Sequence, residues 1–141
     1  RFLNTNAFFV FGDITDFKTL ETIFENNKID IIFHLAAIPR VQQSIVQPDL
    51  THSVNVDGTH NLLFLSVKYN VKRFVFSSSS AIYGNQLTSP LVEAMRPNPL
   101  SPYALHKLIG EQYCQIYYDL YGLETISLRY FNVYGPRENP D

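Results

Sequence analysis

A single cysteine, Cys114, stands among the 141 residues. It excludes an internal disulfide framework and fits a reducing, cytoplasmic setting. No apolar run approaches the roughly 20 residues that a membrane helix needs, and no signal-peptide pattern precedes the first apolar stretch, so no membrane partner is expected. Charge is sparse and balanced. With 17% charged residues and a formal net charge of −2, the chain offers no broad attraction to nucleic acid. Metal-ligand spacing is missing too, since His52, His60 and His106 stand in no pattern with a carboxylate or cysteine that would assemble a site. There is no internal repeat, and the serine run Ser77 to Ser80 lacks the G-x-S-x-G surroundings of a nucleophile elbow.

What is present is a 45% hydrophobic sequence, enough for one buried core and one domain. It begins at Arg1 without a methionine and stops on the polar "GPRENPD", and it is read as part of a longer protein. Strand and helix signals alternate. "AFFVFGD" (Ala7 to Asp13) reads as a buried strand. Asp16 offers an N-cap to a helix whose face carries Phe17, Leu20, Ile23 and Phe24. "IDIIFHLAA" (Ile29 to Ala37) and "RFVFSSSS" (Arg73 to Ser80) read as further strands, with a helical segment from Pro48 to Tyr69 between them.

The stretch from Ala81 to Leu100, holding Gly84, Pro90, Pro97 and Pro99, reads as loop. Ser101 and Pro102 then open a helix as N-cap and first-turn residue. Its inward face is read as Leu105, Leu108, Ile109, Gln112, Tyr113, Ile116 and Leu120, and Gly122 ends it before the strand Leu123 to Phe131. Such alternation predicts an α/β fold with a doubly wound parallel sheet of Rossmann type.

Ligands of these sheets bind beyond the carboxyl ends of the strands. Those ends carry Gly12-Asp13-Ile14, Leu35-Ala36-Ala37, Ser77 to Ser80 and Phe131-Asn132, small residues and hydroxyls that suit a flat ligand or a turning chain equally. Tyr103 and Lys107 lie four apart on one helix face, where an ammonium can stabilise a phenolate and make it a base near neutral pH. The same spacing also serves a packed tyrosine beside a solvated lysine.

The serine-ended strand "FSSSSAIYG", then "SPYALHK", then "LRYFNVYGP", together with "VFGDITD", "HLAAIPRVQQS" and "VNVDGTHN", resembles the extended short-chain dehydrogenase/reductase family. Within it the pattern is most similar to NAD-dependent nucleotide-sugar epimerases of the UDP-glucose 4-epimerase type. The resemblance implies that Tyr103 is the catalytic base, that Lys107 binds the nicotinamide ribose and lowers the tyrosine pKa, and that Ser79 hydrogen-bonds the reacting sugar hydroxyl. Ser78 and Ser80 are the alternatives if the register is one off. It further implies that Asp13 and Ile14 meet the adenine, that Leu35, Ala36, Ala37 and Ile38 line the dinucleotide, that Asn55 and Ser77 lie near it, and that Phe131 and Asn132 face the nicotinamide and the substrate diphosphate.

The implied chemistry is C4 epimerisation of a UDP sugar through a 4-keto intermediate, with NAD as cofactor, no metal, and a homodimer as the assembly. Sugar 4,6-dehydratases of the family carry an Asp-Glu pair directly after the serine; here Ser80-Ala81 stands there, so elimination and decarboxylation rank below epimerisation. Pro39 replaces a lysine of the closest epimerases, which leaves the sugar open. A non-catalytic dinucleotide-binding protein is the reading from another class. Residues 1–141 are expected to be a partial dinucleotide-binding domain, without the Gly-rich strand-helix units and without the substrate domain. On that expectation the isolated chain has little or no activity.

Overall fold

A computed structural model describes residues 6–136. Three parallel strands, β1 (Ile31–His34), β2 (Arg73–Ser79) and β3 (Glu124–Tyr130), form a sheet in the order β1-β2-β3. Each strand is linked to the next by helical chain: α2 (Val41–Val46), α3 (Pro48–His52), a π-helical stretch Ser53–Asp57 and α4 (Gly58–Lys68) before β2, then α5 (Pro102–Tyr121) before β3. An additional helix, α1 (Phe17–Asn26), precedes β1. The parallel α/β class expected from the alternation is the class observed.

Local chemistry sets these boundaries. Asp16 caps α1 by accepting from the Thr19 N–H, and Ser101 caps α5 by accepting from the Ala104 N–H, with Pro102 following in the first turn. α5 ends at Gly122, as read from the sequence. The Pro48 to Tyr69 segment is helical nearly throughout but changes pitch at Ser53–Asp57.

All strands advance in one direction across the sheet, so right-handed crossovers place α4 and α5 on the same face. Leu62, Leu63 and Leu65 of α4 and Cys114 and Tyr117 of α5 pack there against Phe74 and Phe76, with Leu20 and Phe24 of α1 closing the cluster. On the opposite face Phe33, Ile126, Leu128 and Tyr130 are exposed.

Two sequence expectations are corrected. Ala7 to Asp13 is not a strand: nothing among the described residues pairs with it, and Phe8, Phe9 and Phe11 are exposed. Without a ladder an extended segment has no strand partner for its backbone. The buried face of α5 is also rotated from the expected one. Ala104, Lys107, Gly110, Cys114 and Tyr117 face inward, whereas Leu105, Ile116 and Leu120 are exposed. Gly110 explains the offset. A methyl group there would overlap the Phe76 ring, so the helix turns its smallest residue to the sheet to approach closely.

Candidate active site

Because the strands are parallel and in register, with His34 opposite Phe76 and Ser79 opposite Tyr130, their carboxyl ends share one edge. The first turn of α5 is pinned over this edge from two sides. Besides the Ser101 cap, the Tyr103 N–H donates to Ser44 Oγ at 3.1 Å, and that hydroxyl in turn donates to the Val41 carbonyl of α2. Ser44 is fully buried, and it satisfies one of the donors a helix N-terminus leaves free. Sequence reasoning passed it over, since a lone serine in a short polar helix carries no signal.

One turn on, Lys107 is buried and its Nζ donates to the Ser77 carbonyl at 2.6 Å. The ammonium lies 5.0 Å from the centre of the Phe76 ring and 5.8 Å from that of Tyr103. Burial brings its pKa down to about 8.

A cavity of about 540 Å³ is lined by Leu35, Ala37, Ser77, Ser79, Tyr103, Lys107 and Phe131, which the sequence singled out, together with Pro39, Ser78, Tyr130 and Val133. It adjoins a second of about 610 Å³ that shares Ser79, Tyr103 and Phe131 and adds Ser80, Ala81 and Asn132. Among the described residues no carboxylate lines either one.

The serine register resolves by pleat. Ser78 is buried on the helix side and its Oγ donates to Glu111. Ser79 lines both cavities, its Oγ accepting from the Ala81 N–H to start the turn Ser80–Tyr83. A period of two puts Ser77 and Ser79 on one face of β2, while Ser78, which also borders the first cavity, has its hydroxyl engaged by Glu111.

Asp13, Ile14, Ala36, Ile38 and Asn55 do not line these cavities. Ile14 and Ile38 are instead docked along one helical face. Asn55 accepts from the Ile38 N–H at 2.8 Å and donates to the Ile38 carbonyl at 3.1 Å. Three residues on, a Cβ at Gly58 would lie 2.6 Å from the Ile14 side chain, so glycine lets that loop sit down. Asn61 then donates to the Ile14 carbonyl. "VNVDGTHN" thus aligns the loop at Ile14 with the turn after β1 at Ile38. Asp13 is exposed, and its carboxylate accepts from Thr15 N–H and Oγ1, which hold its pKa below the usual value.

His34 is a core residue, as its place in a strand implied. The Thr59 hydroxyl donates to the Asn55 carbonyl, so it accepts from His34 Nε2–H at 2.8 Å, and burial lowers the imidazole pKa to about 4. Behind the sheet edge the sequence reading missed a partly buried ion pair. Arg129 donates to both oxygens of Glu111, with Nη2 to Oε2 at 2.8 Å.

The residues present fit a dinucleotide. Leu35 and Ala37 leave the strand end open, Phe131 offers a flat apolar wall, and Lys107 and Ser79 give a cation and a hydroxyl beside it.

The model of the NAD dependent epimerase/dehydratase family matches residues 2–141. A putative UDP-glucose 4-epimerase of Methanocaldococcus jannaschii is 41% identical over 139 residues, 98% of this chain and 45% of the relative. The crystal structure of Thermus thermophilus UDP-glucose 4-epimerase in complex with NAD superposes with a TM-score of 0.94 at 37% identity, covering 99% of this chain and 45% of that one. Human dTDP-D-glucose 4,6-dehydratase is 35% identical over 96% of this chain and 39% of its own length. The chain therefore spans less than half the length of the relatives it matches.

Proposed function

The chain belongs to the NAD dependent epimerase/dehydratase family, and from that premise we propose that the full-length protein catalyses C4 epimerisation of a UDP sugar. One observation carries this reading: Ser79, Tyr103 and Lys107 meet at a cavity that holds no carboxylate among the described residues. Tyr103, as phenolate, takes the proton of the sugar 4-hydroxyl. Lys107 stabilises that phenolate by its charge, held in place by the Ser77 carbonyl. The Ser79 hydroxyl hydrogen-bonds the same sugar oxygen and passes the proton. When bound, NAD supplies the hydride acceptor and donor that take the sugar through a 4-keto form and back with inversion. Leu35, Ala37 and Phe131 would hold its nicotinamide end, and Asn132 the substrate diphosphate.

The dehydratase alternative rests on the similarity to dTDP-D-glucose 4,6-dehydratases. Elimination of water needs an acid at the sugar, and Ser80 and Ala81 hold the positions beside Ser79 where that acid would stand. The exposed apolar residues Phe64, Ile116, Leu120 and Tyr121 on α4 and α5 support a homodimer built on these helices. No helix among the described residues is long and apolar enough to cross a membrane, and a cytoplasmic setting is part of the same proposal.

The test incubates the full-length protein with NAD+ and a panel of UDP-hexoses, UDP-hexuronates and UDP-N-acetylhexosamines and separates the products by chromatography. Interconverting C4 epimers without net NADH are expected. A 4-keto-6-deoxy product would establish the dehydratase instead, and cofactor binding without any product would favour a non-catalytic dinucleotide-binding protein.

A further inference from the structure

Lys107 and Glu111 lie one turn apart on α5, the spacing at which a lysine and a glutamate pair across a helix surface. They do not pair. Lys107 spends its ammonium on the neutral Ser77 carbonyl, while both Glu111 oxygens are taken by Arg129 and one also by the Ser78 hydroxyl. Arg129 is itself fixed from three directions. Besides Glu111 it donates to the Glu93 carbonyl at 3.1 Å and lies 4.9 Å from the centre of the Tyr83 ring. Its strand register, opposite Ser78, brings the guanidinium to Glu111 from the side of β3.

Resting on the reading of Lys107 as a catalytic residue, we propose that Arg129 is a positioning residue: by holding Glu111 toward β3, it keeps that carboxylate from pairing with the Lys107 ammonium. The charge on Lys107 is then left for the Tyr103 phenolate. A salt bridge to Glu111 would draw the ammonium away from the tyrosine and bring a negative charge toward it, which disfavours phenolate formation. Tyr103 on α5 and Tyr130 on β3 line the same cavity as the lysine, and His34 on β1 lies within reach of its charge. His34 is neutral at physiological pH, its pKa lowered by burial and by the Lys107 charge. Lys107, in turn, titrates lower than a solvated lysine because it is buried without a carboxylate partner.

The test follows the Lys107 titration directly, through its 13Cε chemical shift in full-length protein labelled at lysine, with the resonance assigned by Lys107→Arg. Arg129→Gln is expected to raise the Lys107 pKa by about one unit as Glu111 swings to it, and to move the acidic limb of any turnover profile upward. Glu111→Met/Arg129→Met, which replaces the partly buried pair with apolar chains of similar volume, keeps the wild-type titration. A folded Arg129→Gln protein with an unchanged Lys107 pKa would overturn the proposal. So would a fall of half a unit or more, about a threefold or greater loss of proton affinity, in the double variant, because Glu111 would then already act on Lys107 in the wild type. The double variant decides the matter alone if Arg129→Gln does not fold. The shift is read without turnover, so absence of epimerisation would count against the proposed function and leave the role of Arg129 to the titration.

Discussion

Lys107 shows how burial and hydrogen bonding divide the work at one residue. Taken out of water beside two aromatic rings, it titrates at about 8, so its charge is present below that pH and lost above it. Tyr103→Phe removes the proposed base and keeps the ring beside that charge. Turnover of the full-length protein is expected to fall by about 10² to 10⁴ with cofactor affinity nearly unchanged, as fluorescence titration with NADH would show. Unchanged turnover would remove Tyr103 from the mechanism. His34 makes a second prediction at this scale. Its folded pKa of about 4 lies below the 6.5 of a solvated histidine, so its contribution is fully present above pH 6.5 and is lost as pH falls through 4. The loss amounts to about 3 kcal/mol. Denaturation of the full-length protein between those pH values should show a steeper loss of stability for wild type than for His34→Gln.

At the scale of the element, α5 carries both the proposed chemistry and the closest contact with the sheet. Its position depends on Gly110 over Phe76, on the Ser101 cap, and on Ser44 reaching from α2 to the Tyr103 N–H. Gly110→Ala puts a methyl group into the Phe76 ring and is expected to cost about 1–3 kcal/mol by overpacking, read as a lower melting temperature. Activity should fall with it, because a shift of the helix moves Tyr103 and Lys107 together. An unchanged melting temperature would mean that the helix and sheet are less closely packed than their geometry indicates. The ends of this helix were legible in the sequence, since Ser-Pro and Gly are local signals. Its buried face was not. Large apolar residues were counted inward, whereas close approach selected Ala104, Gly110 and Cys114 and left Leu105 and Ile116 outside.

For the whole molecule, the sheet is covered on one face only. Phe33, Ile126, Leu128 and Tyr130 on the other face form the kind of apolar patch that folded domains bury. The chain spans 45% of the Methanocaldococcus relative. Expressed by itself, the 141-residue chain is expected to bind an apolar fluorescent dye strongly and to elute above monomer size, whereas the full-length protein should do neither beyond a dimer. A dye-silent monomer would show that the exposed face is tolerated in water. Ala7 to Asp13 lies outside this sheet among the described residues, because a run with the sequence pattern of a buried strand becomes one only against a neighbour that pairs with it.

The alternation of apolar runs, caps and breakers determined the fold class and the order of the elements from α1 onward, because both depend on spacing along the chain, whereas the grouping of Ser79, Tyr103 and Lys107 was implied by the family resemblance. Tertiary structure alone decided which serine faces the ligand side, which side of α5 is buried, and which charge meets which. Asn55 turned out to tie down Ile38, and Glu111 turned out to belong to Arg129 and not to its helical neighbour Lys107. The physical reason is that strand pleat, helix rotation and long-range ion pairs are set by what packs against an element, and that information is spread over residues far apart in the chain.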